Sequence, residues 1–222
     1  MPMRRKAGRA KDEATGGTCG GAPDEATAES PREVVELATA CVRAVHRALG
    51  VELDFDPDSI PLLDYYLTLL PDRPRAPTRE PVRGLVAAMT GAYFGEVVRR
   101  LFPARWVLEA GAEPVDWRLE LRYCFLAFFP VAVSWEVLLR RDVLDGAAAF
   151  FLEEPTRGQV AERLDRLPRV AVDDYYTFAQ RLETLVLTVG WLAERVQQSG
   201  KPPTPVAPRR YAEFFRRLRT PE

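Results

Sequence analysis

Apolar residues recur through most of this chain at the three-and-four spacing of helices, and one central stretch abandons that spacing for alternation. Val34, Leu37, Cys41, Val45 and Ala48 mark a first helix ending at Gly50. Its start at Ser30-Pro31-Arg32-Glu33 has the residues of a capping box, with proline suited to the first helical position. Asp56-Pro57 opens a second helix carrying Ile60, Leu63, Tyr66, Leu67 and Leu70. A stiff proline-rich connection at 71–77 leads to a third, capped by Thr78 and broken at Pro103. The period then changes to two. Segments 105–109 and 115–122 alternate like strands and are joined through Gly111 and Pro114, which predicts a hairpin. Trp106 and Leu108 share one face, as do Trp117, Leu119 and Leu121 on the partner, and 123–129 reads as a further buried strand or a continuation. A short helix at 131–141, a short strand at 148–152 and a helix at 156–167 follow. The longest helix spans 173–198, where Phe178, Leu182, Leu185, Val189, Leu192 and Val196 form a continuous seam.

These elements predict an α+β fold, mostly helical, with helices packed on a small antiparallel sheet. Residues 1–29, with glycine pairs, small residues and little to bury, are expected to be a disordered tail. Residues 30–200 are expected to form one α+β domain, followed at 201–222 by a proline-rich linker and an amphipathic helix.

The third helix is the most informative. Gly84, Ala88, Gly91 and Gly95 fall on one narrow stripe that admits a close neighbour, and Val82, Leu85, Val86, Met89, Tyr93 and Val97 fill the adjoining arc. A helix so apolar is expected to be enclosed nearly all round. Glu96 lies inside the apolar arc, so it must be paired, hydrogen-bonded or protonated. One reading is an acid or base in a cleft. The plainer reading is a structural ion pair with an arginine, such as Arg118 on the hairpin. The run Gly91-Ala92-Tyr93-Phe94-Gly95-Glu96-Val97, followed by an arginine-rich helix end and Trp106 on a strand, resembles a motif of bacterial proteins that have no assigned activity. The resemblance covers roughly residues 50 to 140. It implies a related α+β fold and supplies no reaction.

Composition narrows the chemistry. The chain has 222 residues, one histidine, His46, and no asparagine. Any serine or cysteine nucleophile would therefore depend on His46 as its base, which is more simply placed at the end of the first helix, against the helix dipole. Zinc and iron ligand sets are lacking, the three cysteines (Cys19, Cys41, Cys124) have no metal spacing, and no phosphate-binding glycine loop follows a strand. Asp54, Asp56 and Asp58 imitate the opening of a calcium loop, but Ser59 replaces the required glycine and Tyr65 the bidentate glutamate. No cofactor or metal is expected. Three lysines against 28 arginines reads as the bias of a GC-rich bacterial genome.

The formal net charge of -1 offers no general attraction for nucleic acid. The basic residues Arg4, Arg5, Lys6, Arg9 and Lys11 are diluted by Asp12 and Glu13 and have no interleaved aromatics, so no nucleic-acid partner is expected. They precede no apolar segment, which argues against a secretory signal and favours a cytoplasmic address. The apolar stretch 123–139 is interrupted by Pro130, Ser134 and Glu136 and is too short to span a bilayer. At the other end, Tyr211, Phe214, Phe215 and Leu218 form a stripe flanked by arginines, a candidate surface for a partner protein or an anionic membrane, or else a face that docks on the chain itself. The leading expectation is a non-catalytic interaction or accessory protein. The alternatives are an enzyme using carboxylate and arginine chemistry around Glu96, and a membrane-surface adaptor working through the C-terminal helix. Pattern alone assigns no oligomeric state.

Overall fold

The computed structural model describes residues 29–70, 80–143 and 149–219, and it is a mostly helical α+β structure. The expected connection at 71–77, the Thr78 cap, Ala148 and nearly all of the expected tail lie outside those residues.

Helix α1 (Arg32–Leu49) buries Val34, Ala38, Cys41 and Val45 and ends at Gly50, whose φ of 70° lets its amide return to the His46 carbonyl at 2.8 Å. The expected capping box does not form. Pro31 occupies the cap without a side-chain bond, because the Ser30 hydroxyl is committed to Glu96 instead. Asp56 accepts the Asp58 amide and opens a short 3-10 turn (Pro57–Ser59) that runs into α2 (Ile60–Thr68). Asp54 in turn accepts the Asp56 amide, so these aspartates organise a helix start.

Helix α3 (Glu80–Leu101) is the axis of the molecule, and every residue from 86 to 98 is buried. Its first turns are not: Val82 and Leu85 are more than half exposed, which corrects the expectation of enclosure along the whole helix. The buried part is fixed on three sides. Tyr93 accepts the Phe55 amide at 2.9 Å and meets the Ser59 hydroxyl at 2.6 Å, tying α3 to the start of α2. Thr90 meets Ser134 of α4 (Pro130–Leu139) at 2.6 Å. Gly95 lies directly under the Trp106 indole of the sheet.

The sheet runs β1 (Ala104–Val107), β2 (Arg118–Leu121), β3 (Ala127–Phe128), all antiparallel, with Trp106 opposite Leu119 and Leu119 opposite Phe128. The hairpin strands are shorter than their patterning suggests. Pro114, which fixes φ and has no amide to donate, starts a 3-10 turn at 114–116 that takes up the first two residues of the strand expected at 115–122. Residues 122–125 form a bend, so the third strand is only two residues long, and the strand expected near 150 is a single bridge between Phe151 and Ala127.

Alternation divides the sheet between two cores. Trp106, Leu119, Leu121 and Phe128 face the main core, whereas Ala127 packs beneath the last helix, α8 (Pro208–Arg219). Between them lie α5 (Thr156–Leu164), the single turn α6 (Val172–Tyr175) and α7 (Phe178–Gln198), which packs on α2. The long helix predicted at 173–198 is thus broken. Thr177 caps α7 by accepting the Gln180 amide, and the Asp64 carboxylate accepts the amides of Phe178 and Ala179.

Candidate functional site

Glu96 occupies the last buried turn of α3 and is 4% exposed. Its Oε1 accepts from the Ser30 hydroxyl at 2.5 Å, the Trp106 indole at 2.8 Å and Arg99 Nε at 3.0 Å, while Oε2 accepts from Arg99 Nη2 at 3.0 Å. Burial by itself would raise this carboxyl, but the hydrogen bonds of Arg99, Ser30 and Trp106 outweigh it and hold the pKa below the ordinary value. The partner arginine comes from one turn along the same helix; Arg118 is engaged elsewhere. As arranged, Glu96 is an anion filled with donors, tying the segment before α1, the third helix and the first strand together.

Two further buried carboxylates carry similar networks. Glu120 on β2 is 1% exposed and accepts from Arg105 and Arg118, and Arg118 stacks 4.1 Å over the Phe215 ring of α8. Glu136 on α4 accepts from Arg181 at 2.8 Å and from the Val143 amide at 3.3 Å. Its pKa is raised, because burial dominates and Asp142 adds repulsion against the Val143 amide and Arg181. Arg181 also lies 4.4 Å over the Tyr175 ring, and its Nε has no acceptor among the described residues. Sequence reasoning passed over Glu136 as a mere interruption of an apolar run. The available signal was the same as for Glu96, a carboxylate inside an apolar helix.

The four aromatic and aliphatic candidates of α8 are placed differently from one another. Tyr211 and Phe215 are buried on the sheet and on Phe125, Phe129 and Phe151. Phe214 is half-buried and meets Phe125 edge-on, and Leu218 is exposed. The Tyr211 hydroxyl accepts the Leu126 amide at 3.0 Å and lies 2.8 Å from the Leu121 carbonyl, plugging the bend between β2 and β3. Ion pairs of Arg210 with Glu153 and Arg219 with Glu109 hold both ends of α8.

Helix α1 and the exposed start of α3 border a surface groove. It is open, has a volume of about 850 Å³ and is lined by Ala40, Val42, Ala44, Leu85 and Met89, with the exposed Arg43, His46, Arg47 and Glu52 beside them. His46 therefore stands at a groove wall. The Cys41 and Cys124 thiols are each pushed up to about 12 by burial. A smaller apolar groove of about 300 Å³ runs between the Pro57 turn and α7. Neither groove is lined by Glu96. Sequence reasoning missed the larger one because it assigned Leu85 to the core. Among the described residues no cluster of three metal-ligating side chains occurs, and no helix is long and apolar enough to cross a membrane. Compared with known proteins, the chain matches no protein-family model, no curated protein and no solved structure.

Proposed function

We propose that the protein is a non-catalytic interaction protein, an accessory or immunity-type binder working in a bacterial cytoplasm. The observation that carries this reading is the filled coordination of Glu96, the side chain best placed by pattern for acid–base work. An acid or base must exchange its proton with a substrate within hydrogen-bond reach. Both oxygens of Glu96 are instead occupied by donors of the chain itself, and its lowered pKa keeps it ionised. Among the described residues, burial keeps the Cys41 and Cys124 thiols neutral, which makes both poor nucleophiles. What remains accessible is relief suited to binding.

Glu96→Gln tests the reading. The amide cannot accept from Arg99, Ser30 and Trp106 as the anion does, and it leaves Arg99 without its charge partner. The expected loss is about 2–4 kcal/mol in urea denaturation, with cellular function retained wherever the variant stays folded. Because the folded pKa is depressed, this contribution is present above the unfolded value of about 4.3 and is lost as pH falls through the folded one. The wild-type protein should therefore lose more stability on acidification than the variant. Unchanged stability together with lost cellular function would restore the enzyme reading.

A further inference from the structure

We propose that the groove between α1 and α3 is the docking site for an acidic amphipathic helix of a partner protein. The partner's apolar stripe would lie along Val42, Leu85 and Met89, and its carboxylates would meet Arg43 and Arg47. This rests on the reading of the protein as a binder and names what it binds.

The apolar half of the argument starts from α3. A helix whose middle is fully enclosed nevertheless leaves Leu85 54% and Val82 59% exposed, and Val35 on α1 is 46% exposed. Grouped apolar side chains held in water on a folded surface mark a contact face. The groove floor includes Ala40 and Ala44, one turn apart on α1, where short side chains let another backbone come close. Its size and openness suit a helix face. A small ligand would need to be mostly enclosed and gripped by a few convergent polar groups, whereas the charged residues here are all exposed.

The charged half comes from the arginines. Some surface arginines are matched within the chain, as in Arg32 with Glu36, Arg157 with Glu154, Arg210 with Glu153 and Arg219 with Glu109. Arg43 and Arg47 are in no ion pair with any described residue, although they stand one turn apart beside the groove; Arg47 donates only to the Arg43 carbonyl, at 3.2 Å. Against them the groove lining sets a single carboxylate, Glu52. The apolar strip is therefore edged by net positive charge, and its complement is an apolar stripe edged by aspartate and glutamate.

The test is fluorescence anisotropy with the full chain and a labelled helical model peptide of about 18 residues, carrying leucines at i, i+3, i+4 and i+7 between glutamates. The glutamate peptide should bind at least about tenfold more tightly than the same peptide with lysines, and the preference should weaken with salt. Replacing its leucines by serine should abolish binding. In the protein, Leu85→Glu should abolish binding of both charge forms, and the double variant Arg43→Glu/Arg47→Glu should reverse the preference while remaining folded. Equal binding of the glutamate and lysine peptides, or binding indifferent to Leu85, overturns the proposal; so does retention of the serine peptide, which would indicate a purely electrostatic surface. Leu85-dependent self-association in sedimentation would assign the face to a second copy. A large drop in melting temperature for Leu85→Glu would mean the face is covered from within the chain. Either result also overturns the proposal, and none of them touches the Glu96→Gln test of the broader reading.

Discussion

A Cβ on Gly95 would run into the Trp106 ring, and one on Gly91 would stand 2.6 Å from Val131 Cα and 2.9 Å from the Pro130 carbonyl. Gly84 is different, because its nearest neighbour would be Trp135 at an ordinary 3.9 Å. The three positions look alike in the sequence, as small residues on one helical stripe. The identity of the neighbour decides their cost, and local pattern does not encode it. Gly91→Ala should cost about 1–3 kcal/mol, because backbone of α4 must move. Gly95→Ala should cost at least as much, since displacing the indole also draws its N–H away from Glu96. Gly84→Ala should be neutral or stabilising by up to about 1 kcal/mol, through helix propensity alone. Urea denaturation of the three variants orders them, and an equal cost at all three would refute the packing described. Glu96 was legible as a buried carboxylate needing a partner. Arg99, three residues along the same helix, was in view as a local partner, but Ser30 and Trp106 were not, because they come from segments that meet Glu96 only through the fold.

At the scale of elements, the break between α6 and α7 was hidden by an unbroken seam of apolar residues. Thr177 supplies a cap, but a threonine within a helical pattern is a weak stop signal on its own. The second half of the signal is Asp64, which arrives from α2 to accept the first two amides of α7 at 2.8 and 2.9 Å. Burial pushes this carboxyl up to about 6, against the opposing effect of the amides of Ala179 and Phe178. An unfolded aspartate titrates near 3.9, so between about 4 and 6 the folded chain binds the extra proton. The stability from this group is then fully present below the unfolded value and is lost as pH rises through about 6. Its sign is opposite to that of Glu96. Asp64→Asn removes the titration, so the difference in unfolding free energy between wild type and variant, followed in urea from pH 4 to 7, should fall toward the upper end. A difference that instead grows with pH would mean that the helix N-terminus, by holding the anion, governs this carboxylate.

For the molecule as a whole, helical periodicity and the switch to alternation sufficed to give the mostly helical α+β class. They did not give the second core. Along β2 the order Arg118, Leu119, Glu120, Leu121 has the pattern of one buried and one solvated face, yet Arg118 is 4% and Glu120 1% exposed. The reason lies some ninety residues away in sequence, where Tyr211 and Phe215 bring α8 over the polar side and Arg118 stacks on Phe215. The C-terminal stripe was visible; which surface it covers depends on a bend at 122–125 that only the fold creates. This placement also weakens the membrane-adaptor alternative, since a bilayer would have to strip Tyr211 and Phe215 from the sheet. If α8 completes the sheet in solution, Tyr211→Phe should cost about 1–2 kcal/mol, because the Leu126 amide keeps only the Cys124 carbonyl as acceptor and the Leu121 carbonyl loses the hydroxyl. A chain ending at Gly200 should then show faster amide hydrogen exchange through β2 and β3, with α1 exchanging as before. Unchanged exchange in the sheet, accompanied by vesicle binding that requires residues 201–222, would instead show α8 to be a free arm whose apolar face serves the membrane.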